Sequence, residues 1–158
     1  MKPLSTLLIL SLLSLCVACN SSITQSTTNT SPQIEQEISS AVIEIMSQQD
    51  MAKKQQAYQV LLKYAEQSNP DAIYHLGQFY IAPSRLDGVI TPDSKKAEEL
   101  LLKSANMNHK ASQIFLGSTY KFGGHGFPRD KEKACYWMKK SVESESNPVI
   151  ERLMKDCL

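Results

Sequence analysis

Several scarcities narrow the field before any motif is read. The chain of 158 residues has four cysteines, six glycines and seven prolines, too few for a disulfide-dense scaffold, a collagen-like repeat or Pro/Gly-rich disorder. Neither sign of charge dominates, with 17 Lys plus Arg against 16 Asp plus Glu. Binding nucleic acid through bulk charge needs a basic stripe that releases counterions, so no nucleic-acid partner is expected. Aromatic residues make up 7%, with one Trp. No apolar run is long enough to cross a hydrocarbon core of ~30 Å, which takes about 20 helical residues. What is present is ordinary globular composition, 42% hydrophobic and 21% charged, enough for one domain.

The most apolar stretch runs from Leu4 to Ala18 behind a single positive charge at Lys2. A basic start, a Leu-rich centre and a small residue at a cut site read as a secretory signal over residues 1–18. Its end, Leu15-Cys16-Val17-Ala18-Cys19, resembles the lipobox of bacterial lipoproteins, with Cys16 standing where Leu is usual. The resemblance implies cleavage before Cys19, acylation of Cys19 (palmitoyl chains included) and membrane anchoring, at ~0.8 kcal/mol per buried CH₂. Asn20, where an Asp often marks inner-membrane retention, implies an outer-membrane lipoprotein facing the periplasm. Cys16 and Cys19 also spell C-x-x-C, but no strand precedes them and Cys16 leaves with the signal, so a redox role is not assigned. From Asn20 to Ser31 every residue but Ile23 is Ser, Thr, Asn or Gln. Residues 19–32 therefore read as a flexible tether with an r.m.s. span of ~20 Å.

The helical body opens at Ser31-Pro32, an N-cap followed by proline at the first helical position. Ile34, Ile38, Ala41, Val42 and Ile45 recur at three- and four-residue spacing, and predict one N-terminal helix over 33–55. Beyond it the chain repeats. Ala57, Ala97 and Ala134 align at separations of 40 and 37 residues. Nineteen positions after each comes a Leu, at 76, 116 and 153; Gly77 and Gly117 follow, then Tyr80 and Tyr120. A period of this length signals stacked helix pairs, because one pair cannot bury its apolar face alone. Asp93 and Asp130 are expected N-caps, with Pro92 and Pro128 keeping the preceding chain out of helix.

Leu116-Gly117, Tyr120, Gly123, Gly126, Asp130, Lys133-Ala134, Trp137 and Lys140 resemble the pattern of the Sel-one-like repeats, relatives of the tetratricopeptide repeat. A second copy runs through Ala72, Leu76-Gly77, Tyr80, Gly88-Val89, Asp93, Lys96-Ala97, Lys103 and Ala105. The resemblance covers about residues 56–158, the repeat domain. It implies an all-α, right-handed α/α solenoid of about two and a half helix-pair repeats, carrying the N-terminal helix in front.

Chemistry is thinly represented. His75, His109 and His125 share no metal-ligand spacing, and no cofactor or metal is expected. Ser118 to Lys121 spells S-x-x-K, the nucleophile signature of serine β-lactamases and penicillin-binding proteins, without the S-D-N or K-T-G that accompany it there. The resemblance implies a non-enzymatic adaptor that binds a protein or peptide partner on the concave face of its first helices. Tyr74, Gln78, Ile114, Ser118 and Lys121 fall between the repeat's core positions and are the candidate groove residues. The rival readings are a cell-wall-directed hydrolase or binder of the β-lactamase-like type, suggested for cysteine-rich relatives, and a purely structural lipoprotein.

Cys135 and Cys157 are the cysteines left in the folded part. Measured from a turn near Glu145 they lie ~10 and ~12 residues out on antiparallel helices, level within about 3 Å along the axes. Cys157 also takes the repeat position of Tyr80 and Tyr120. A disulfide is expected, worth roughly 3 kcal/mol by loop entropy; the alternative is two buried free thiols.

Overall fold

A computed structural model describes residues 31–47, 50–82, 86–143 and 145–157. The expected signal, Cys19 and the tether up to residue 30 lie outside them. Seven α-helices follow one another: α1 Pro32–Ser47, α2 Met51–Glu66, α3 Pro70–Ile81, α4 Ser94–Asn106, α5 Lys110–Phe122, α6 Lys131–Val142 and α7 Pro148–Leu153. A 3₁₀ turn, Met154–Cys157, is the last described element after α7. Among the described residues there is no strand, only a Gly124–Phe127 bridge in the loop after α5.

Each start has a local cause. Asp93 Oδ1 accepts from Lys96 N–H at 2.9 Å and Asp130 Oδ1 from Lys133 N–H at 3.0 Å, the two caps expected from the sequence. Asn69 and Asn147 cap α3 and α7, each followed by proline at the first turn. The helix expected over 33–55 is instead two helices, and the boundary drawn at 55/56 falls inside α2. Asp50 supplies the reason. Its carboxylate accepts from Ala52 N–H at 2.9 Å and Lys53 N–H at 3.4 Å, so a new helix is capped where the apolar period alone would continue the old one.

The turns between helix pairs are also built alike. Ser68 and Asn108 adopt positive φ, 61° and 62°. Asn69 N–H reaches back to the Tyr64 carbonyl at 2.9 Å, and His109 N–H to the Ser104 carbonyl at 3.3 Å. Both turns are left-handed helix ends that satisfy carbonyls otherwise left without a donor.

Neighbouring helices pack in order, α1 on α2, α2 on α3, α3 on α4, α4 on α5 and α5 on α6, with α1 also touching α3. Two apolar clusters result. The first joins Ile38, Ile45, Leu61, Tyr64, Leu76 and Phe79 across α1, α2 and α3. The second joins Leu101, Leu116, Tyr120, Phe127 and Trp137 across α4, α5 and α6. Tyr120 and Trp137, which could be read as a ligand box, are core at 0% and 5% exposure. The longer loop after α3 is pinned by Leu86, fully buried among α1–α3 side chains.

The helix pairs close on glycine. A Cβ on Gly77 would sit 2.8 Å from Leu101 Cγ, and one on Gly117 would sit 2.7 Å from Met138 Cγ and 3.2 Å from the Met138 backbone nitrogen. The same close approach thus recurs in α3–α4 and α5–α6, and justifies a residue that costs about 1 kcal/mol inside a helix.

A second feature recurs at a fixed separation of 22 residues. Tyr58 and Tyr80 share a hydroxyl–hydroxyl hydrogen bond of 3.2 Å. Tyr120 donates to the Glu98 carboxylate. Cys135 and Cys157 form a disulfide with a Cα–Cα distance of 5.4 Å. Positions 58, 98 and 135 each follow the reference alanine, so three different chemistries occupy one equivalent site. Burial, and for Tyr120 the Glu98 carboxylate, push the Tyr58 and Tyr120 phenols far above their ordinary range, which keeps both protonated.

Candidate partner-binding face

The first helices of successive pairs lie side by side. On α3 the residues Asp71, Tyr74 and Gln78 fall at spacings of three and four; on α5 Ala111, Ile114 with Phe115, Ser118 and Phe122 do the same. An aromatic row connects them. The Tyr74 ring lies 5.2 Å from His75, 5.0 Å from His109 and 6.4 Å edge-on from Phe115. Phe115 in turn lies 6.4 Å from the His125 ring, near-parallel, on the loop after α5. His125 has φ 54° between Gly124 and Gly126, so the loop bends tightly to present it.

Five groove residues were expected. Tyr74 is half-buried and packs against the second core cluster rather than standing free; burial raises its phenol pKa. Its oxygen accepts a hydrogen bond from Gln78 Nε2 at 2.7 Å, so these two residues act as one unit. Ile114 and Ser118 are half-buried on α5. Lys121 is taken elsewhere. Its Nζ donates to the Leu153 carbonyl at 2.6 Å and to Asp156 Oδ2 at 3.0 Å, tying α5 to the C-terminal turn. Two residues not singled out belong to the face: Phe115, bridging Tyr74 and His125, and Phe122, 60% exposed at the end of α5. Phe115 aligns with His75 in the 40-residue register, so a ring at both copies was the available signal.

Beneath this row lies a polar chain that joins three helices. His109, the N-cap of α5, donates from Nε2 to Asp71 Oδ1 at 2.8 Å, while its Nδ1 accepts from the Ser112 backbone N–H at 3.3 Å and lies 2.9 Å from Ser112 Oγ. Asp71, imidazole and hydroxyl follow one another as in a nucleophilic triad. The hydroxyl is nevertheless useless as a nucleophile. Ser112 is 0% exposed, its Oγ donates to Ser104 Oγ at 2.7 Å, and Ser104 Oγ donates to the Pro70 carbonyl at 2.8 Å. The chain is a strut between α3, α4 and α5. The bond from His109 holds the Asp71 carboxyl below its ordinary pKa, and burial depresses His75.

The S-x-x-K spacing has no catalytic counterpart in the fold. A serine nucleophile needs its lysine within hydrogen-bond reach, and Lys121 Nζ is committed to Leu153 and Asp156. Among the described residues no cluster of His, Cys, Asp and Glu could hold a metal ion, and no helix is long and apolar enough to cross a membrane.

Helix pairs stacked in register, with glycine at the closest approach of α3–α4 and of α5–α6, define an α/α solenoid. The Sel1 repeat family model matches residues 70–109 and 110–146, which are α3 with α4 and α5 with α6. The fold is similar to that of a Sel1 repeat protein from Oxalobacter formigenes, with a TM-score of 0.54 and 24% identity over 69% of this chain and 32% of that one. The chain thus spans about a third of that protein's length. No curated protein matches it. α1 and α2 form a further pair ahead of the matched repeats, and α7 with its 3₁₀ turn supplies the half-repeat behind them.

Proposed function

We propose that this chain is a non-catalytic scaffold of the bacterial envelope, held by lipid on Cys19 and binding a protein or peptide partner on the α3–α5 face. Sel1 repeats generally serve protein–protein interaction, and two of them make up this face. The observation that carries the reading is the aromatic row Tyr74–Phe115–His125, with the exposed Phe122 further along α5. Aromatic side chains half-buried at their base and open above are the usual anchors of an interface. The nearby charges are already paired, Asp71 with His109 and Lys121 with Asp156, so the face favours an apolar or neutral segment over a charged one. The Cys135–Cys157 disulfide agrees with an oxidising compartment, and the outer membrane facing the periplasm is the proposed address.

Two measurements test this. Alkynyl palmitate should label the parent chain and not Cys19→Ala; equal labelling of both removes the anchor. Photo-crosslinkers placed at Ile114, Ser118 or Phe122 should give one discrete adduct, while crosslinkers at the exposed Lys103 or Lys139 positions should not. Adducts of equal yield at all five sites would remove the face.

A further inference from the structure

A second concavity lies at the C-terminal end, between the start of α6, the end of α5 and the final 3₁₀ turn. It encloses about 560 Å³, within the range of small-ligand sites. Its wall includes the Cys135–Cys157 disulfide and Ala134, both apolar, and its charged members are Lys121, Arg129, Lys131, Asp130 and Asp156.

The charges are not equally available. Asp156 is held by Lys121 at 3.0 Å. Asp130 is occupied as an N-cap, accepting from Lys133 N–H at 3.0 Å, with Lys133 Nζ 3.9 Å away. Lys121 is spent on Leu153 and Asp156. That leaves the outer edge of the Arg129 guanidinium and the ammonium of Lys131, which forms no ion pair among the described residues and acts on Asp156 only through its charge. Arg129 is positioned rather than loose. Its Nε donates to the Lys121 carbonyl at 3.3 Å, and its stem crosses Gly123, where a Cβ would lie 2.8 Å from Arg129 Cγ. Gly123 also has φ 74°, a conformation that glycine adopts without strain. The terminal nitrogens of Arg129 have no protein partner among the described residues. A guanidinium fixed through Nε and open at its planar edge is suited to a two-oxygen anion.

We propose that this cavity binds a carboxylate group, with Arg129 and Lys131 holding the anion and the disulfide and Ala134 taking the small apolar side chain beside it. Counting the whole wall, three cations face two carboxylates, a net of one positive charge. That balance suits a monoanion and disfavours a phosphate dianion, which Asp130 and Asp156 would repel. The group has two possible sources, the C-terminal end of a polypeptide or a free small acid. The site does not rest on the α3–α5 face and stands or falls apart from it.

The test is amide chemical-shift titration of the mature, oxidised chain with four probes: acetyl-trialanine acid, its C-terminal amide, N-acetylalanine and inorganic phosphate. The acid should shift amides of residues 129–135 and 154–157, and the amide should not. N-acetylalanine binding as well as the tripeptide acid assigns a free small acid; markedly weaker binding assigns a chain end. Lys131→Gln, whose side chain is exposed, should weaken the acid about tenfold with an unchanged melting temperature, and Arg129→Gln should weaken it further. Equal shifts by acid and amide, phosphate binding as tightly as the acid, or no shifts with any probe would each overturn the proposal.

Discussion

Removing the Cys135–Cys157 bridge tests how the C-terminal end is held. The two residues are 22 apart in sequence, and the chain-entropy estimate for a loop of that length is ~11 cal/mol/K, or ~3 kcal/mol at 25 °C. What remains at the end without it is modest. Ile150 is buried at 3% exposure, a contribution of about 2 kcal/mol. The Lys121–Asp156 pair has its carboxylate 75% exposed and, screened by water, adds little. A helix of six residues, Pro148–Leu153, is far too short to persist alone. The double variant Cys135→Ser with Cys157→Ser should therefore lose about 3 kcal/mol in urea unfolding. Its melting temperature should fall by roughly 6–12 °C, at 2–4 °C per kcal/mol. Amide exchange should speed most over 148–157, since the end frays before the rest unfolds. A variant within ~0.5 kcal/mol of the parent, with unchanged exchange at Ile150 to Leu153, would show that packing alone holds the end. Two thiols alkylated in the denatured, unreduced parent would show that the bridge does not form.

The repeated geometry makes further outcomes calculable. Gly117→Ala should destabilise by about 1–3 kcal/mol in chemical denaturation, because the added methyl meets the Met138 backbone nitrogen at 3.2 Å as well as a side chain; a neutral result would mean that α5 and α6 can part freely. Ser68→Gly should stabilise by about 1 kcal/mol, since exposed Ser68 holds φ 61° at a cost glycine avoids, and a loss of stability would contradict that. His109 lowers the Asp71 pKa, so this carboxylate contributes stability that is complete above its unfolded value near 3.8 and is lost as pH falls through the lower folded value. Asp71→Asn should accordingly flatten the acid limb of urea midpoints, by under about 1 kcal/mol because the carboxylate is 41% exposed; an unchanged limb would refute it.

How much of this was legible depends on where each interaction is encoded. Asp93 and Asp130 act within one turn of themselves, so cap chemistry placed those helix starts directly. The 40- and 37-residue spacing placed the glycines and the Tyr, Trp and Leu core positions, because stacking forces equivalent residues into equivalent sites. The break at Asp50 was missed since both α1 and α2 continue an apolar stripe, and only the carboxylate's bonds decide between one helix and two. Lys121 was misplaced for a different reason. By periodicity it borders the groove, but the 3₁₀ turn after α7 brings the Leu153 carbonyl and the Asp156 carboxylate within reach of its long cationic side chain. The Asp71–His109 bond spans 38 residues and joins two positions that no local pattern relates.

The bonds at a 22-residue separation explain why the last of them is covalent. The first two join the second helix of one pair to the first helix of the next, and the third joins α6 to the 3₁₀ turn that follows α7. At Tyr58–Tyr80 the receiving helix α3 has 12 residues, and at Glu98–Tyr120 helix α5 has 13. In both, a further helix packs on the far side, so a hydrogen bond worth about 1 kcal/mol merely trims an interface already fixed by apolar burial. At Cys135–Cys157 the receiving element is the four-residue 3₁₀ turn Met154–Cys157 behind the six-residue α7, and no described element lies beyond it. A solenoid is weakest at its ends, where a repeat has one neighbour instead of two. A hydrogen bond there would not offset the ordering of a short helix and a 3₁₀ turn, at roughly 1–2 kcal/mol per residue, whereas a bridge removes much of that entropy from the unfolded chain. Cys135→Glu with Cys157→Tyr, which copies the Glu98–Tyr120 pair onto this site, therefore makes a sharp comparison. It should fold with the same helices in α1–α6 and lose nearly the full ~3 kcal/mol of the bridge. If the copied pair instead restores the parent's stability, the end is not the weak point, and the disulfide is one interchangeable version of the same contact.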